Sequence, residues 1–133
     1  MLKPDFAKYS LALVQSDKII FSSKERGLKP LWDCLENYRQ KKESFILHDK
    51  VIGLAAARLA VYSGIISGIQ TLLISQPANK FLEENGIKIK ADEIVANILT
   101  QDRRSICPGE IIALNTADPD MFFKKIVAMF SGH

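Results

Sequence analysis

The sequence predicts one α/β domain: a mixed, mostly parallel sheet opened by a β-hairpin, with helices on both faces in three layers. Three observations lead there. Residues 9–15 alternate in polarity, Ser16-Asp17-Lys18 is a short polar turn, and Ile19-Ile20-Phe21 resumes strand character, together a hairpin pattern. Past residue 28, helix-period and strand-like segments take turns, which calls for crossover connections and parallel strands. No repeat, linker or low-complexity tract divides the 133 residues, so residues 1–133 read as one domain.

After the hairpin, residues 22–27 are polar and loop-like. Pro30 suits the first turn of a helix, where its missing N–H has no partner to lose. Leu28, Leu31, Leu35 and Tyr38 recur there at helical spacing, and Cys34 lies on the same core-facing side. Residues 44–48 form a short strand, apolar enough to be covered on both sides. Asp49 then reads as an N-cap for a helix over residues 50–63, with a turn at Ser63-Gly64. Residues 70–74 are the next strand. Pro77 opens a helix that Asn85-Gly86 stops. Residues 87–90 alternate as an edge strand guarded by lysines, and residues 92–99 read as a short helix. Asp118-Pro119 starts the last helix as N-cap and N1. Its rows Phe122, Ile126, Met129 and Phe123, Val127, Phe130 are expected to pack inward, and Gly132 to end it.

Composition sets the broad class. Apolar residues make up 47% and charged residues 25%, as in an ordinary globular protein, and the length suffices for a core without staples. A net charge of +3, with basic residues such as Lys41 and Lys42 beside Glu43, argues against a nucleic-acid partner. Two cysteines and no secretory leader imply a cytoplasmic protein. The apolar residues 51–69 carry Arg58 and three glycines, which speaks for a buried helix and turn rather than a membrane span.

Ligands in open sheets gather where strand ends meet helix N-termini, a rule that selects three segments. The first is His48-Asp49-Lys50-Val51-Ile52-Gly53, where free helix N–H groups and Lys50 would favour an anion and Gly53 would allow close approach. The bland alternative is a simple cap and a packing glycine. The second is Ser105-Ile106-Cys107-Pro108-Gly109-Glu110. Pro108 at N1 makes Cys107 the N-cap and Glu110 the N3 partner of a capping box. A thiol at a helix start, near Arg103 and Arg104, can be activated as a nucleophile, with His48 or His133 as the available base. Most lone cysteines are instead inert small hydrophobes. The third is Lys24-Glu25-Arg26-Gly27, either the rim of the same crevice or an exposed loop.

Taken together, Glu25-Arg26-Gly27, Asp49-Lys50-Val51-Ile52-Gly53 with Ala55-Ala56-Ala57, and Asp102-Arg103 leading to Cys107-Pro108 and Glu110 resemble a small uncharacterised family. It is a domain of unknown function with a cytidine-deaminase-like fold, and the resemblance spans roughly residues 9–130. Zinc deaminases hold their metal with a His or Cys, one residue and Glu at one helix start and Pro-Cys-x-x-Cys at the next. The corresponding places here are residues 25–29 and 48–53, and neither has that spacing. At most His48 and Cys107 could converge, one ligand short. The resemblance therefore implies the crevice without the metal, and no cofactor.

The leading expectation is a domain binding a small anionic or nucleotide-like ligand, such as a phosphorylated metabolite. Asp49, Lys50, Gly53, Arg103, Cys107 and Glu110 would line its pocket, with Glu25 and Arg26 at the rim. Two alternatives stay open: an enzyme using Cys107 as nucleophile, and a protein-interaction module such as a homo-oligomer joined through residues 87–90 or the Phe-rich last helix.

Overall fold

A computed structural model describes residues 2–99 and 105–131. Strands β1 (Leu11–Gln15) and β2 (Lys18–Ser23) form the expected hairpin. Ser16 and Asp17 both adopt positive φ, 50° and 61°, the pair of left-handed residues that a two-residue turn needs to follow the twist of its strands. Helix α1 (Lys29–Tyr38) starts around Pro30 and leads through a short 3₁₀ turn to β3 (Phe45–Asp49). A two-residue strand, β4 (Val51–Ile52), comes next, and only then α2 (Leu54–Ser63). Strand β5 (Ile66–Ser75), α3 (Gln76–Glu84), β6 (Lys88–Val95), α4 (Pro108–Asn115) and α5 (Pro119–Ser131) complete the order.

The sheet is mixed. β1 pairs antiparallel with both β2 and β3, while β3, β4 and β6 all run parallel to β5. β3 and β4 lie one after the other on one edge of β5, along residues 66–70 and then 73–74. β6 spans residues 68–75 and must therefore occupy the other edge.

This order corrects the expectation of helices on both faces. The parallel connections β2 to β3, β3 to β5 and β5 to β6 all step across the sheet in the same direction. Right-handed crossovers taken in one direction leave every helix on the same side. Accordingly, the buried helix residues Leu31, Leu35, Ala57, Leu59, Leu82, Ala113, Phe122 and Ile126 join Leu11, Leu13, Phe45, Leu47 and Ile69 in one core. Behind the sheet, the described cover is the N-terminal segment: Tyr9 stacks on His48, Phe6 packs edge-on against Tyr9, and Gln70 donates to the Leu2 carbonyl.

Three local expectations also change. Residues 92–95 continue β6 rather than forming a helix, because β5 offers them an edge to pair with. β5 is longer than the apolar run at residues 70–74 suggests, since Ser67 and Gly68 extend it. Val127 of α5 is exposed, whereas Phe122 and Ile126 are fully buried. The helix stops at Gly64 and Gly86 and the Asp118 cap, which accepts from the Met121 N–H at 2.9 Å, are as the sequence predicts. Among the described residues no helix is long and apolar enough to cross a membrane.

Candidate functional site

The start of α2 is built differently from its sequence reading. Asp49 does not cap it: Lys50, Val51 and Ile52 intervene, and the N-cap is Gly53, which has no side chain to offer. The cap comes from another helix. The Glu110 carboxylate, from the first turn of α4, accepts the backbone N–H groups of Leu54 and Ala55, each at 2.7 Å. Glu110 is therefore no capping-box partner of its own helix, and the Cys107 side chain makes no capping hydrogen bond either. A carboxylate here satisfies two orphan donors and meets the positive end of the helix dipole. Burial still lifts the Glu110 pKa above its usual range, with the Ala55 and Leu54 N–H groups pulling it back.

Gly53 makes room for this. A Cβ built on it would lie 2.4 Å from the Glu110 carboxyl carbon. Its φ of −98° is open to any residue, so the requirement is for space and not for backbone freedom. The same two helices are tied again by Arg58. It is 4% exposed, and its guanidinium donates to the carbonyls of Ala113, Thr116 and Ala117 at the end of α4 and to the Tyr62 hydroxyl. Its carbon Cζ also sits 4.1 Å from the Phe122 ring centre. So α4 caps the start of α2 with an acid, and α2 caps the end of α4 with a base.

Beside the Glu110 cap lies a cleft of about 640 Å³. Most of the residues selected from the sequence meet there: Glu25 and Arg26 from the loop after β2, Asp49 and Lys50 at the end of β3, Gly53, Cys107 and Glu110. Leu11, Leu28, Pro30, Ala55 and Ala56 supply apolar wall. Arg103 lies outside the described residues, as do Asp102, Arg104, Gly132 and His133. His48 is not part of the cleft. Its ring, fully buried on the back of the sheet, bonds through Nδ1 to the Tyr9 hydroxyl at 2.8 Å, and Nε2 has no hydrogen-bond partner. Burial holds its pKa below the usual imidazole value. The pairing of His48 with Cys107, as base or as metal ligand, is thus corrected, because alternate residues of β3 face opposite sides. Among the described residues no group of three His, Cys, Asp or Glu side chains could hold a metal ion.

Asp49 lines the same cleft. By strand alternation it shares the helix-facing side with Phe45 and Leu47. Desolvation raises its pKa well above the carboxylate norm, while the backbone N–H groups of Val51 and Lys50 oppose the rise. Its charge also adds to the burial that pushes the Cys34 thiol up to about 12. Cys34 is fully buried among apolar neighbours and inert, as its helical position implies.

The shift of Asp49 has a sign that can be tested. The folded state holds this proton more tightly than the unfolded chain, so stability is lost as pH rises from the unfolded value, about 3.9, through the folded one. Asp49→Asn removes that penalty. It is expected to raise the melting temperature at neutral pH and to leave it unchanged near pH 3, where both states are protonated. A variant less stable than the parent at neutral pH would show that the carboxylate is needed for folding.

A family model for DUF1893, a domain of unknown function named TM1506, matches residues 5–130. Among solved structures, the chain is similar to a DUF1893 family protein (TM1506) from Thermotoga maritima. The identity is 28% and the TM-score 0.81, over 93% of this chain and 82% of that one. No curated protein matches. With nearly its whole length inside the family model and the same fold in a solved member, the chain belongs to the DUF1893 family, whose function is unknown.

Proposed function

We propose that the cleft binds a small molecule with an apolar body and an anionic end, of the nucleotide or phosphorylated-metabolite class. The observation that carries this is the convergence of chain-distant segments on one cleft around the desolvated Asp49. A concave, mostly apolar site with a few convergent polar groups and a perturbed carboxyl is the usual form of a ligand pocket. The anion does not sit on α2, because Glu110 already fills that helix start. Its charge is met at the mouth by Lys50 and Arg26, both exposed. The Asp49 carboxyl, whose charged form is disfavoured by desolvation, meets the polar edge of the ligand body. The hairpin followed by β3-α2-β5-α3-β6 supports a cytidine-deaminase-like ancestry for this crevice, with the metal site replaced by the Glu110 cap.

A thermal-shift screen of nucleotides and phosphorylated metabolites, followed by titration calorimetry, tests the reading. Lys50→Ala is expected to weaken a genuine ligand roughly tenfold, the loss of one charge-assisted contact. Hits indifferent to both Lys50→Ala and Asp49→Asn would sink the proposal. A second reading, the Cys107 thiol as nucleophile, is favoured by its place in the cleft wall, half-buried at the start of α4. Ligand protection of Cys107 against alkylation, with turnover abolished in Cys107→Ser, would support it.

A further inference from the structure

We propose that the open edge of the sheet is a homodimer interface, in which β6 pairs antiparallel with β6 of a second copy around a twofold axis midway between the two copies of Ala91. β6 bonds to β5 along one edge, and no described strand covers the other. None of its eight residues is buried, and it contains neither Pro nor Gly. Ile94, 53% exposed, leaves a large apolar side chain in solvent on this strand. A strand of this length presents a row of unpaired N–H and C=O groups, which proteins otherwise shorten, cover or interrupt.

The charge pattern selects the occupant. Lys88 and Lys90 repel a generic strand, but Asp92 and Glu93 follow them, so the strand is cationic at its start and anionic at its end. Parallel self-pairing sets like charge on like. Antiparallel self-pairing sets opposite charges together, provided the register is right. Directly opposed residues in an antiparallel ladder have the same hydrogen-bonding orientation and share a face, so the twofold axis lies midway between the two copies of one residue and not at the level of a peptide bond. Centred on Lys90, two lysines collide; centred on Asp92, two acids do. Centred on Ala91, Lys90 of each copy faces Asp92 of the other, and only methyl groups meet at the axis. In that register the aliphatic stem of Lys88 also covers Ile94 of the second copy. The lysines thus exclude foreign strands and admit this one.

Sedimentation equilibrium of the full chain, from micromolar to millimolar concentration, tests the interface. A concentration-dependent dimer is expected. Lys90→Glu and Asp92→Lys, each made alone, are expected to weaken it roughly tenfold or more, since each creates two like-charge oppositions. The double variant, with the two charges exchanged, restores it. Both side chains are exposed, and an unchanged far-UV spectrum and melting temperature verify the fold of each variant. A chain that stays monomeric, a dimer indifferent to both single reversals, or one that the double variant fails to restore would each overturn the proposal.

Discussion

Gly53→Ala is expected to cost about 2–4 kcal/mol of folding stability, although a glycine-to-alanine change ahead of a helix is ordinarily mild. The added methyl lands 2.4 Å from the Glu110 carboxyl, which must withdraw. Withdrawal strands two N–H groups at the start of α2 and leaves a buried carboxylate without donors. The collision is specific, so a double-mutant cycle isolates it. Glu110→Ala alone is expected to destabilise by about 2–3 kcal/mol, from two lost charge-assisted bonds. In that background Gly53→Ala should add less than about 0.5 kcal/mol, because its partner is gone. Urea denaturation at neutral pH supplies all four corners. Additive losses would mean that Gly53 serves some other purpose.

Arg58→Ala is the second large effect, about 3–5 kcal/mol. The change deletes a guanidinium that satisfies three carbonyls at the end of α4 and lies over Phe122. The carbonyls of the buried Ala113 and Thr116 then lose their donor. Arg58→Lys is expected to recover less than half of the loss. An ammonium carries three donors on one nitrogen and cannot fork between Ala113, Thr116 and Ala117 while still reaching Tyr62. The readout is again the urea midpoint, with the slope checked for a constant denatured state. A lysine variant as stable as the parent would show that charge alone, without the planar fork, secures α4.

Arg58 and Glu110 also mark the limit of what local sequence conveys. Arg58 is legible as an oddity, one charge inside an otherwise apolar helix, but nothing local names its carbonyl partners, which lie 55 to 59 residues away. Glu110 is spaced as the N3 member of a capping box, and the pattern is genuine in form. It fails because the carboxylate finds two N–H groups on α2, whose own N-cap is a glycine. Asp49 shows the converse. Its type and position before a helix suggest a cap, yet Lys50, Val51 and Ile52 add one more strand pairing to β5 before the helix can begin. The residues expected around a crevice do largely gather there, because helix starts at one end of a parallel sheet open on the same side.

What the sequence determined by itself is the set of local decisions. The Ser16-Asp17 turn, the proline-marked starts of α1, α3, α4 and α5, and the glycine stops at Gly64 and Gly86 depend on backbone preferences settled within a few residues. Only the tertiary structure decided the face on which the helices lie, the true start of α2 and the chemistry of the cleft. Each of those depends on groups distant in the chain: crossover direction is a property of strand order, a helix cap can be borrowed, and a carboxyl such as Asp49 departs from its ordinary pKa only once other segments exclude water from it.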